Sequence, residues 1–170
     1  MKSKRSTIFE YVTNAAVLAV AIVVLATYFT KAHTGPTSGQ GRVLRGAHID
    51  LTKFGVTPAK LNIVLALSTT CHFCEENTDF YRDLAQIPTA GKTRLFAVFP
   101  QKAADATLYL DQHGIRVDSI RSSPLSDYKV SATPTILLVD ERGTVTDSWV
   151  GSLEKDQRSK VLDEVRKAST

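Results

Sequence analysis

The chain has 170 residues, enough for one ordinary domain plus a short appendage, and its 43% hydrophobic and 22% charged content is that of a sequence able to bury a core. Of the formal +4 charge, three cations (Lys2, Lys4 and Arg5) lie at the extreme N-terminus, and from Lys31 onward 18 basic residues stand interspersed with 16 acidic ones. Nothing in that near-neutral mixture offers the basic stripe that a nucleic acid would need, so no nucleic-acid partner is expected.

Residues 1–10 form a short basic lead. From Tyr11 to Thr30, "YVTNAAVLAVAIVVLATYFT" runs for 20 residues without a charge. At about 1.5 Å per residue that is roughly 30 Å of helix, the hydrocarbon thickness of a bilayer. Cations precede the run and only Lys31 follows closely, so the positive-inside tendency leaves the N-terminus in the cytoplasm and exports the rest. A cleaved signal peptide has the same basic start and apolar middle, but "TKA" at 30–32 sets a lysine among the small residues of its cleavage site. The expectation is therefore a retained single-pass anchor at 11–30, with the C-terminal domain on the periplasmic or extracellular side of the cell membrane. Residues 31–42 are rich in Gly, Ser and Thr and carry no apolar periodicity, as a flexible tether does. That leaves 43–170 as the folded domain.

Within it, strand and helix signals alternate. "LNIVLALS" (61–68) is a continuous apolar run of the kind a strand buried on both faces requires. Cys71 to about Gln86 places Phe73, Phe80, Tyr81 and Leu84 at helical spacing. "TRLFAVFP" (93–100) predicts a second buried strand, and "AADATLYLDQHG" (103–114) a helix closed by Gly114. "TILLVDERGTVTDSWVG" (135–151) predicts a hairpin turning near Glu141 to Gly143, and a last helix spans about Leu153 to Ala168 behind Ser152 as N-cap. The stretch 42–60 is read as a leading hairpin. The order gives an α/β domain, a mixed sheet flanked by helices.

The only two cysteines, Cys71 and Cys74, lie in "STTCHFCEEN" (68–77), directly after the first buried strand and at a helix start. Three residues apart, they share one helical face and can close a disulfide. Helix-start amides favour a thiolate, in particular at Cys71, and His72 adds to this when protonated. A structural staple gains little from so short a loop, and joins distant segments in preference. Two further readings of the same residues remain: a copper-binding, chaperone-like module using both thiols with a histidine, and a non-catalytic scaffold. Peroxide reduction is a third, with Ser68 at the right spacing but no neighbouring proline.

The second motif is "VSATPT" (130–135), where Pro134 directly precedes the strand "TILLVD". Together with the cysteine pair it resembles the thioredoxin superfamily, in particular its membrane-anchored, TlpA-like redoxin branch. "IVLALSTTCHFC", "YKVSATPTILLVDERGTV" and "GSLEKDQRSKVLDEV" carry the resemblance, which extends over about residues 43–168. It implies a thioredoxin-like fold and a thiol–disulfide oxidoreductase without a bound cofactor or metal. Cys71 would be the attacking thiol and Cys74 the buried resolving one, with a cis Pro134 facing them and the Thr133 backbone pairing an extended substrate. Protein dithiols or disulfides, and a separate redox partner, are the partners so implied. The pattern departs at Thr70, where a tryptophan is usual, and at Leu65, where many members carry a buried acid that handles the resolving thiol's proton. His72-Phe73 between the cysteines leaves the redox direction open.

Overall fold

In the computed structural model the described residues are 18, 20, 21, 44–87 and 90–169. The chain divides into two compact units, Met1–Thr37 and Ser38–Thr170. In the first unit only Leu18, Val20 and Ala21 are described, all helical. The basic lead, the rest of the expected 11–30 anchor and the expected 31–42 tether lie outside the described residues. Among the described residues no helix is long and apolar enough to cross a membrane.

The described residues of the second unit are built on five strands: β1 (Leu61–Ala66), β2 (Thr93–Phe99), β3 (Ser119–Ser122), β4 (Thr135–Asp140) and β5 (Val145–Val150). Their order across the sheet is β3-β2-β1-β4-β5. β1 pairs in parallel with β2, and β2 with β3, whereas β4 runs antiparallel to both β1 and β5. This is the mixed sheet that the element order predicts. Because side chains alternate along a strand, each apolar run feeds two cores. Ile63, Leu65, Leu95, Ala97, Phe99, Ile136 and Leu138 face the helices, with Cys74 in the same cluster. Val64, Ala66, Phe96, Val98, Leu137 and Val139 face the other way, onto Ile49, Leu51, Phe54 and Tyr128. A strand with both faces covered reads as an unbroken apolar run, which is why 61–68 and 93–100 stand out in the sequence.

Among the described residues of this unit four helices follow in chain order: α1 (His72–Glu75), α2 (Thr78–Gln86), α3 (Ala103–Gln112) and α4 (Lys155–Ser169). The single helix expected over Cys71–Gln86 is broken into α1 and α2. The Asn77 side chain explains the break. Its Nδ2 donates to the Phe73 carbonyl at 2.7 Å, taking the acceptor that the Asn77 amide would use in a continuous helix, and that amide turns to Cys74 O at 3.3 Å instead. The last helix begins at Lys155 rather than behind Ser152. Gln157 Oε1 accepts from the Glu154 amide at 3.0 Å, half of a capping box, while the Ser152 hydroxyl is occupied by Asn77 Nδ2 at 3.0 Å.

Residues 44–60 do not form the leading hairpin. They make a turn at Leu44–Gly46, an isolated bridge from His48 to Thr144 and a 3-10 turn over Leu51–Phe54. The Asp50 side chain caps that turn by accepting from the Thr52 amide at 3.1 Å, and helical spacing then drops both Leu51 and Phe54 onto the sheet. The approach of this segment also covers the outer side of β5. Gly46 N donates to Val145 O at 2.8 Å, Val145 N to Ala47 O at 2.8 Å, and Arg45 Nε to Thr146 O at 2.6 Å.

The β4–β5 turn is the predicted one. Asp140 Oδ1 accepts from the amides of Arg142 (2.9 Å) and Thr144 (2.8 Å), and Gly143 adopts a left-handed φ of 87°. A Cβ at Gly143 would run into the Ile49 carbonyl oxygen and the His48 ring. Gly143→Ala therefore combines backbone strain with a clash against main chain, and is expected to cost about 2 kcal/mol or more in urea unfolding. A change below about 0.5 kcal/mol would contradict this account of the turn.

Candidate active site

β1 delivers the cysteines to one end of the sheet. After Ala66 the chain makes a last ladder bond, Leu67 N to Val98 O at 2.9 Å, and then bends. The bend is pinned by Ser68, whose hydroxyl accepts from Gln101 Nε2 at 2.8 Å and whose carbonyl accepts from the Cys71 amide at 3.2 Å. Cys71 is extended (φ −93°, ψ 109°) and acts as the N-cap of α1, with its Sγ accepting from the Cys74 amide at 3.1 Å. A Ser or Asp at an N-cap makes the same contact through oxygen. Here it is a sulfur that receives the amide.

The two thiols are free and differ in exposure, Cys71 half-buried and Cys74 fully buried. Burial pushes the Cys74 thiol up to about 12 and the adjacent Cys71 sulfur adds to this, while the Ser68 backbone and the Thr133 hydroxyl hydrogen-bond to it and pull the other way without prevailing. That hydroxyl brings Thr133, from a loop 59 positions further along the chain, against the cysteine pair. Thr133–Pro134 is a cis peptide, Pro134 is buried, and its carbonyl accepts from the Gly151 amide at 2.8 Å. Thr135, the next residue, pairs with Ala66 at the end of β1, so this loop and the cysteines occupy the same end of the sheet. A groove beside the loop is lined by Leu44, Lys129, Val130, Ala132, Thr135 and Val150.

Other residues singled out by sequence fall less centrally. His72 is exposed and pairs with Glu76 Oε1 at 3.1 Å, one turn along. Phe73 is 55% exposed at the rim of the cysteine pair. Glu75 reaches His113, with Nε2 to Oε1 at 3.4 Å. His48 stands at the far end of the sheet, bridging to Thr144. Among the described residues no group of three or more His, Cys, Asp or Glu is placed to hold a metal ion.

Three residues of this neighbourhood have no prominence in the sequence. Asn77, buried, ends α1 and also accepts from Arg158 Nη2 at 2.8 Å, tying the cysteine turn to α4. Tyr81 and Tyr109 lie in the same core cluster as Cys74. Their helical spacing reads as ordinary core.

No family model matches the chain, and no curated protein does. Solved structures do. A secreted thiol-disulfide isomerase from Corynebacterium glutamicum superposes with a TM-score of 0.55 at 16% identity, over 66% of this chain and 72% of that one. The thioredoxin domain of a thiol-disulfide oxidoreductase from Bacteroides vulgatus gives 0.52 at 16%, over 69% and 89%. StoA from Bacillus subtilis gives 0.51 at 12%, over 66% and 84%. Sheet order and the cis proline agree with what the motifs imply, and the domain shares the thioredoxin-like fold of these structures.

Proposed function

We propose that the protein is a thiol–disulfide oxidoreductase working outside the cytoplasm, tethered by its 11–30 segment to the cell membrane. The observation that carries the reading is the unequal pair: a half-buried Cys71 whose sulfur receives a backbone amide, with a fully buried Cys74 one turn behind it. Cys71, as thiolate, attacks a disulfide of a partner protein, one partner sulfur leaves as thiolate, and a mixed disulfide remains. Cys74 then attacks Cys71, releasing the second partner sulfur and closing the internal disulfide. Run backwards, the same steps oxidise a dithiol. Two sulfurs carry all the electrons, so the exchange needs no cofactor, only a second redox partner to reset the pair.

Thr133 and Pro134 stand beside the cysteines as the surface for an extended substrate segment, which the Thr133 backbone pairs in strand-like fashion, a mode tolerant of sequence. His72, when protonated, adds positive charge beside Cys71. The names of solved neighbours, one of them a secreted isomerase, support the location as well as the chemistry. The test is DTT-driven reduction of insulin by the full chain, joined to a reduction potential measured against a glutathione series that fixes the direction. Wild-type protein is expected to accelerate insulin reduction and Cys71→Ser to fall to the DTT background. Activity that survives Cys71→Ser would overturn the proposal.

A further inference from the structure

The cysteine turn and the Thr133–Pro134 loop come from distant parts of the chain, and an extended substrate has to meet both at once. The gap between them is therefore a working dimension of the site.

Three consecutive residues after β5 reach three different elements. The Gly151 amide donates to the Pro134 carbonyl at 2.8 Å, at a point where Gly151 turns the chain with a left-handed φ of 86°. The Ser152 hydroxyl accepts from Asn77 Nδ2 at 3.0 Å. The Leu153 carbonyl accepts from Arg158 Nε of α4 at 2.9 Å, and the Leu153 side chain is buried in the core on the helix side of the sheet.

Asn77 completes the link on the cysteine side. It is 1% exposed, and its side-chain amide is engaged at both ends. Nδ2 donates to the Phe73 carbonyl at 2.7 Å as well as to Ser152, while Oδ1 accepts from Arg158 Nη2 at 2.8 Å. A carbonyl only accepts and a guanidinium only donates, so these partners fix which way the amide faces. Aspartate has the same length but no donor, and alanine reaches none of the three. Breaking the helix after α1 needs only the bond to Phe73. The bond to Ser152 does something else: it carries the connection across to the loop that holds Pro134.

Building on the exchange reading above, we propose that Asn77 and Ser152 are positioning residues that set the gap between the Cys71–Cys74 turn and the Thr133–Pro134 loop. Phe73 lies between the two cysteines, so its carbonyl ties the bridge to the turn itself. The path runs from there through the Asn77 amide and the Ser152 hydroxyl to the Gly151 amide and the Pro134 carbonyl. Arg158 braces it from α4. Neither Asn77 nor Ser152 touches a reacting atom. With the bridge intact, a substrate strand laid on the proline loop presents its disulfide to Cys71 in register. With the bridge cut, the two sides shift against each other, and attack on an extended substrate suffers first. A small disulfide that meets only the thiols does not need the loop.

The test compares two substrates on the full chain. DTT-driven insulin reduction reads the thiols and the loop together, and stopped-flow reaction of the reduced protein with DTNB reads the thiols alone. Ser152→Ala removes one hydroxyl from a half-buried loop position. It should lower kcat/KM for insulin about three- to tenfold, the weight of one hydrogen bond, and leave the DTNB rates within about twofold of wild type. Ser152→Thr keeps the hydroxyl and should bring insulin reduction back to within about twofold. Asn77→Leu should lose more on insulin than Ser152→Ala does; where that variant folds poorly, the Ser152 pair decides. Insulin kinetics of Ser152→Ala that match wild type would overturn the assignment. So would a Thr variant as impaired as the Ala variant, or equal losses on both substrates with a lowered melting temperature, the mark of general loosening. A wild-type protein that reacts with DTNB but leaves insulin at the DTT background would sink the exchange reading and this one with it.

Discussion

Cys74→Ser is expected to convert the protein into a covalent trap, with partner proteins held on Cys71 in adducts that DTT dissolves. The reason is geometric. Cys74 sits one turn behind Cys71 with its amide already on the Cys71 sulfur, so resolution is intramolecular. Well-oriented intramolecular groups act at effective concentrations of about 10⁵ M or more, whereas an external thiol at millimolar levels must find the bond by diffusion. Removing the internal attacker should lengthen the life of a mixed disulfide by at least about a thousandfold on that scale. Serine is close in size to cysteine and sits well at a buried, hydrogen-bonded position, so the fold is retained. Non-reducing gels of the variant expressed in an exporting cell should show DTT-sensitive ladders, and Cys71→Ser/Cys74→Ser should show none. Ladders that persist without Cys71, or a Cys74→Ser variant that captures nothing, would remove the basis for the proposed exchange.

A second large effect is expected in alkali. In an unfolded chain a cysteine titrates near 9, and in the folded domain burial raises Cys74 to about 12. Between those values the unfolded state has released a proton that the folded state retains, so folding becomes less favourable as pH rises. The contribution is whole below about pH 9 and is lost as pH climbs toward 12, with a limiting slope of about 1.4 kcal/mol per pH unit for one such group. Tyr81, Tyr109 and Tyr128 are raised by burial in the same direction, so any form of the protein weakens in strong base. The disulfide form has no Cys74 thiol to titrate. Urea unfolding at pH 8 and pH 10 should therefore show a steeper loss for the reduced protein than for the oxidised one. Equal slopes in the two forms would contradict the burial argument.

Much of this arrangement is legible in the sequence because burial on both faces leaves an unmistakable trace. β1 and β2 are apolar at nearly every position, and a cysteine pair directly after such a run, with Thr-Pro ahead of a later strand, has few other structural uses. What escapes is what depends on a single side chain or on tertiary context. β3 carries one apolar residue, Ile120, in four, since a short edge strand needs little apolar surface. The break between α1 and α2 hangs on one Asn77 amide group. The leading segment, read as a hairpin, has its shape set by an Asp50 cap and by a sheet face that only the fold creates.

Both margins of the sheet are guarded, one by the brevity of β3 and the other by the Arg45–Ala47 backbone and guanidinium lying along β5. An unfolded polypeptide that drifts past such a surface finds no ready row of amides and carbonyls on which to zip up. Indiscriminate capture and self-aggregation are thereby discouraged.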